Sequence, residues 1–157
     1  FALGDVNGRG AFTHTSYWEF ELVRDNLEGA DRKVSDRNMA YAMYIDPALG
    51  RVGMSEQEAR ESGKNVLMAT MPMSNVSRAL EQGETQGFIK FLVDADTEQF
   101  LGATVLGMRG DDLIQIIAFF MATGASYKVM QNALPVHPTV AELFPTVLGK
   151  LEPLNKA

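Results

Sequence analysis

The stretch Gly87–Met108, GFIKFLVDADTEQFLGATVLGM, limits the fold more than any other part of the chain. Two apolar runs rich in β-branched and aromatic residues flank the polar connection DADTEQ. Such runs on either side of a short polar loop form a β-hairpin, so the sheet is expected to be mainly antiparallel. From Met39, MAYAMYIDPALGRVGMS reads as a strand, a Pro/Gly turn and a second extended piece. NVLMATMPM reads as a further strand, with Pro72 placing its end at an edge.

Helical signals are interspersed with these runs. Trp18, Leu22 and Val23 share a helical spacing, which predicts a helix from about Thr13 to Leu27, followed by a polar linker, ADRKVSDRN. Ser55 and Glu58 make a capping box for a helix that stops near Gly63. NVSRALEQGE suits a short helix or turn. LIQIIAFFMATG reads as a largely buried helix, capped by Asp111 or Asp112 and closed at Gly124, with a short helix at SYKVMQNAL after it. The terminal EPLNKA has the look of a frayed tail. The order predicts an α+β fold, a mainly antiparallel sheet with helices packed on one side.

Composition removes several classes of function. The chain has 157 residues, 46% hydrophobic and 22% charged, enough for one sizeable core. A net charge of -6 argues against nucleic acid or an anionic membrane surface as partner. With no cysteine, disulfides, thiolate metal sites and a cysteine nucleophile are all excluded within this chain. Two histidines are too few for a metal cluster, and His14 reads as a solvent or interdomain residue. The longest apolar run is too short to span a bilayer and no targeting signal opens the sequence, so a soluble, cytoplasmic protein is expected. The opening FALGDVNGRG, without methionine, reads as a strand end entering a Gly-rich turn, which predicts a piece of a longer protein. The nine methionines fall at core positions and read as packing or interface filler.

The segment LPVHPTVAELF carries the chemistry that remains. Thr139 and Glu142 have the T-x-x-E spacing of a capping box, with Pro138 keeping His137 extended. Alternatively, Glu142 folds back one turn, accepts the imidazole N–H of His137 and fixes its tautomer, making a group that exchanges protons near neutral pH. The two readings are compatible, and spacing alone leaves both open.

Taken in order, FALGDVNG, VGMSEQEAR, GFIKFLVD with FLGATVLG, and HPTVAELF resemble the carboxy-terminal dimerisation domain of the FAD-dependent pyridine nucleotide-disulfide oxidoreductases. That group includes glutathione reductase, dihydrolipoyl dehydrogenase and mercuric reductase. The resemblance covers nearly the whole chain. It implies that residues 1–30 are the end of an FAD-binding domain, 31–38 a linker and 39–157 the dimerisation domain. By the same resemblance Asp5 accepts a hydrogen bond from the ribityl chain of FAD. His137 crosses a homodimer to act as acid/base at the partner's redox disulfide, beyond a cis peptide to Pro138, and Glu142 orients it. The apolar helix LIQIIAFFMATG becomes the candidate for burial between sheet and partner.

FAD and NAD(P)H are thus expected in the parent enzyme, bound by upstream domains of the same chain. Electrons would pass from nicotinamide to flavin to disulfide. Neither cofactor is expected on the fragment, which has no G-x-G-x-x-G fingerprint and no cysteine pair, and so no turnover of its own. The helix FTHTSYWEFELV is more similar to mercuric-reductase-like and reactive-species-response relatives than to glutathione reductase, although KLEPLNKA lacks the cysteine pair of a mercuric reductase proper. The rival expectation is a free-standing α+β interaction or ligand-binding domain in which T-x-x-E is only a cap.

Overall fold

The computed structural model describes residues 1–154, and the chain separates into two units, Phe1–Met39 and the part from Ala40 onward. In the first, the opening residues make a 3-10 turn, Gly4–Asn7, where a strand end was expected. Helix α1, Thr13–Leu27, follows as predicted. The segment read as a linker contains a short 3-10 turn, Val34–Asp36, in which the backbone N–H of Lys33 donates to Asp36 at 2.8 Å.

The buried face of α1 differs from the one expected. Thr15, Glu19 and Leu22 are buried, whereas Trp18 is only partly covered. Glu19 takes the inner position because donors converge on its carboxylate. Trp18 is stabilised instead by the guanidinium groups of Arg32 and Arg37, 5.2 and 5.4 Å from its ring.

The second unit is built on one sheet. Its strands are β1 (Ala40–Met43), β2 (Leu49–Gly53), β3 (Val66–Pro72), β4 (Phe88–Asp94), β5 (Phe100–Leu106) and β6 (Glu152–Pro153), in spatial order β1-β2-β5-β4-β3-β6. Every pairing is antiparallel. The predicted hairpin is β4–β5, at the sheet's centre, and Pro72 does end β3. The tail corrects an expectation: Glu152 and Pro153 pair with Met68 and Leu67 instead of fraying, and the N–H of Leu154 donates to the Val66 carbonyl at 2.8 Å. The rest of that predicted tail, residues 155–157, lies outside the described residues.

The helices are α2 (Glu56–Glu61), α3 (Ser77–Gln82), α4 (Gly110–Ala122), α5 (Tyr127–Gln131) and α6 (Phe144–Leu148). Alternation along β4 sends Ile89, Phe91 and Val93 into the main core, which α4, α5 and α6 cover with Leu113, Ile117, Met130, Phe144 and Val147. Leu92 points to the other face, where a smaller cluster forms with Ala59 of α2 and Val66. The principal helical layer therefore lies on one side, as the pattern implied. Met71, Met73, Met108 and Met130 are buried in the core, whereas Met39 and Met43 are exposed, so packing accounts for some of the methionines but not for all nine.

Helix starts follow chemistry of different kinds. Ser55 and Glu58 close the predicted capping box on α2, with bonds of 3.2 and 2.7 Å. At α4 the cap is Arg109 in the left-handed region, φ 56°, and Asp111 and Asp112 sit inside the first turn, where their charge meets the positive end of the helix. Gly50 of β2 lies directly beneath this turn. A Cβ there would sit 2.2 Å from the Gly110 carbonyl oxygen and 2.6 Å from the Ile114 Cβ, so only hydrogen fits.

The β4–β5 connection is organised by Asp94, 3% exposed. Its carboxylate accepts from Lys64 Nζ at 2.8 Å and from the N–H groups of Asp96 and Thr97 at 3.0 and 3.3 Å. The Lys64 bond, aided by those N–H groups, outweighs burial and holds the carboxyl below its ordinary value. A lowered value means that the stabilisation is complete above the unfolded value, near pH 4, and lost as pH falls through the folded one. Asp94→Asn is expected to cost about 1–3 kcal/mol at pH 7. The gap to the parent should narrow below about pH 4. Urea unfolding at pH 7 and pH 3 checks this, and an unchanged gap would reject the assignment.

Candidate functional site

His137 stands on a loop fixed at both ends by core residues. Met130 of α5 and Val140 are both buried, and between them Pro135 and Pro138 restrict the backbone. The His137–Pro138 peptide is cis. After it, a 3-10 turn, Ala141–Leu143, leads into α6, so the chain tightens before the predicted helix begins.

Both readings of T-x-x-E are found here, each in part. The Glu142 N–H donates to Thr139 Oγ1 at 3.1 Å, and the Thr139 hydroxyl donates to the Val136 carbonyl at 2.7 Å. The Glu142 side chain, however, does not return to the backbone of Thr139 as a closed box requires. Its Oε2 lies 2.8 Å from His137 Nδ1. A carboxylate can only accept, so the proton of this bond is on Nδ1, and Nε2 is the nitrogen left for chemistry. The two side chains differ in exposure, 75% for His137 and 13% for Glu142, which places a free ring on a held base.

A cavity of about 650 Å³ is lined in part by Glu142 and by Val136 and Pro138, the neighbours of His137. Met108, Leu113, Ile116 and Phe144 supply apolar wall, with Arg109 and Glu142 among the charged groups. Ile116 and Phe119 of α4 are 46% and 68% exposed, leaving an apolar face on the helix expected to meet a partner.

Asp5 belongs to the first unit. It lies in the Gly4–Asn7 turn with its side chain exposed, an acceptor-only group suited to a sugar hydroxyl. Sequence reasoning missed what holds that turn. Glu19, buried on α1, accepts from the Gly4 N–H and from Asn7 Nδ2, each at 2.7 Å, and from Arg37 Nη1 at 2.8 Å. The available signal was slight: Glu19 stands between Trp18 and Phe20, Glu21 follows as a second carboxylate, and the basic partner is far along the chain at Arg37. Gly4 adopts φ 69°, and a Cβ there would meet Ser16 Oγ at 2.4 Å.

Among the described residues, no group of three or more His, Cys, Asp or Glu is placed to hold a metal ion. His14 is exposed and stacks on Phe12 at 5.5 Å. No helix among the described residues is long and apolar enough to cross a membrane.

Residues 39–148 match the family model described as pyridine nucleotide-disulphide oxidoreductase, dimerisation domain. The chain is 35% identical over 144 residues to the probable pyridine nucleotide-disulfide oxidoreductase RclA of Escherichia coli, covering 90% of this chain and 33% of that protein. It is 31% identical over 142 residues to dihydrolipoyl dehydrogenase 2 of Haloarcula marismortui, covering 90% of this chain and 30% of that protein. Among solved structures, the HOCl-induced flavoprotein disulfide reductase RclA from Escherichia coli superimposes with a TM-score of 0.87 at 33% identity, over 96% of this chain and 35% of that one. The chain thus spans about a third of the length of the relatives it matches.

Proposed function

Because the chain belongs to the pyridine nucleotide-disulphide oxidoreductase family, as its dimerisation domain, we propose that it serves a homodimeric, flavin-dependent disulfide reductase by supplying an acid/base pair to the partner subunit. His137 is the acid/base and Glu142 its orienting partner. The observation that carries this reading is the 2.8 Å contact between His137 Nδ1 and Glu142, on a ring that is otherwise open.

The proton bookkeeping of thiol–disulfide exchange suits such a pair. An attacking thiol must lose a proton and the departing sulfur must gain one. Nε2 of His137 takes the proton in one direction and returns it in the other, while Nδ1 stays bonded to Glu142. The adjacent carboxylate stabilises the ring while it is cationic. The chain has no cysteine of its own, so the disulfide belongs to the upstream part of the partner subunit.

Asp5 fits the ribityl hydroxyl of FAD by chemistry and exposure, and it is the residue of this chain that would hold the cofactor. The flavin, when bound, supplies the two-electron chemistry and NAD(P)H the reducing equivalents. The FAD and NAD(P) domains of the same chain are its neighbours in the parent protein. Within the family we place that parent among mercuric-reductase-like and reactive-species-response relatives, in the cytoplasm. Similarity to the HOCl-induced reductase supports this placement.

Anaerobic addition of NAD(P)H to the full-length parent tests the class: its flavin absorbance band should bleach, and a colourless folded protein would sink the reading. A second test addresses Glu142. Glu142→Gln keeps an acceptor for Nδ1 but removes the charge, so disulfide reduction is expected to slow by about tenfold, one charge-assisted bond's worth. Stopped-flow turnover of the variant measures it, and a rate equal to that of the parent would remove Glu142 from the site.

A further inference from the structure

The carboxylate of Glu19 is buried, yet it takes no part in the chemistry proposed for His137. A buried charge costs free energy unless bonds repay it, and folding alone would be served as well by an apolar side chain. What the carboxylate uniquely does is gather donors from separate places. One oxygen takes the Gly4 N–H and the Asn7 amide, both in the opening turn, and the other takes Arg37. Arg37 also donates through Nη2 to the Arg9 carbonyl at 2.6 Å, so both ends of the turn are tied to this pair. Asn7 Oδ1 completes the clasp by accepting the Arg9 N–H at 2.8 Å.

We propose that Glu19 is a positioning residue for the flavin: it fixes the Gly4–Asn7 turn from inside and thereby presents Asp5 on the outside. The inference rests on the reading that Asp5 meets the ribityl chain. The turn carries the exposed carboxylate of Asp5 and is held by the buried carboxylate of Glu19 from α1, two acidic groups with opposite tasks. The Gly4 N–H, then Arg37 and Asn7, outweigh burial and hold the Glu19 carboxyl below its ordinary value, so the clasp is anionic at neutral pH. An anion held by an N–H, an amide and a guanidinium makes charge-assisted bonds that a neutral amide cannot reproduce. The left-handed Gly4 lets its N–H point at Glu19 while the chain passes within reach of Ser16.

The test uses the full-length parent, stripped of flavin and titrated with FAD, with affinity read from flavin fluorescence and folding read separately by circular dichroism. Glu19→Gln is expected to weaken FAD binding by about tenfold. Arg37→Lys, which keeps the charge but loses the two-pronged reach, should give a similar loss and serves if Glu19→Gln fails to fold. The decisive variant is the double substitution Asp5→Asn with Glu19→Gln. If Glu19 acts through Asp5, the pair should bind FAD no more weakly than Asp5→Asn alone, to within about twofold. Additive losses would show that Glu19 supports the fold generally and would overturn the proposal. Normal FAD affinity in Glu19→Gln and Arg37→Lys, beside a loss in Asp5→Asn, would also overturn it while leaving the flavin reading intact. Normal affinity in Asp5→Asn would remove the flavin reading itself, and this inference with it.

Discussion

His137→Ala in the full-length parent is expected to slow the disulfide half-reaction by about 10²–10⁴-fold, the range for loss of a positioned acid/base. Reduction of the flavin by NAD(P)H should remain near the unsubstituted rate, because no sulfur changes its proton in that half. The substitution separates chemistry from folding unusually well. The ring is 75% exposed, and exposed positions seldom cost more than about 0.5 kcal/mol. Its partner Glu142 keeps its backbone bond to Thr139 in the variant, so the loop should hold its shape. Rapid-mixing measurements of the two half-reactions decide the matter. Equal losses in both would mean that His137 acts on cofactor binding or assembly, and the acid/base role would fall.

Phe91→Ala is expected to have the largest effect on stability, about 3–5 kcal/mol. Phe91 is 0% exposed, on the central strand β4. Its ring meets Phe100 edge-on at 5.5 Å and Phe144 edge-on at 5.3 Å, so truncation empties the point where the hairpin and α6 come together. A cavity there cannot be filled by movement of one neighbour, since Phe100 is also engaged with Phe120. The urea midpoint of the variant should fall accordingly, and a loss below about 1 kcal/mol would show that the core re-collapses. The same change should reach the site, because Phe144 opens the helix that immediately follows the turn carrying Glu142.

The sheet was legible because β-structure writes alternation and turn chemistry into contiguous residues. FIKFLVD and FLGATVL became strands, and Ser55 with Glu58 became a cap, all from local pattern. The features that escaped depend on groups distant in sequence. The burial of Glu19 makes sense only once Gly4, Asn7 and Arg37 are brought to it. The terminal strand β6 has only two residues, too few for a period, and exists because β3 offers an open edge. Arg109 at the start of α4 was obscured by the two aspartates after it, which are ordinary capping residues in the wrong position. At the site itself, spacing could identify His137 and Glu142 as neighbours but could not divide Glu142 between backbone and ring. That division follows from Thr139, whose hydroxyl serves Val136 and Glu142 at once.

The seating of α4 on bare backbone at Gly50 has an evolutionary consequence. With the Gly110 carbonyl 2.2 Å and the Ile114 side chain 2.6 Å from where a methyl group would begin, position 50 and the seating of α4 are a single mutational unit. A larger residue on the strand is tolerable only if the helix has already withdrawn, because shrinking Ile114 leaves the Gly110 carbonyl in place, so the order of substitutions matters as much as their identity. Drift in this part of the sheet should therefore proceed by paired changes, with the single intermediates selected against.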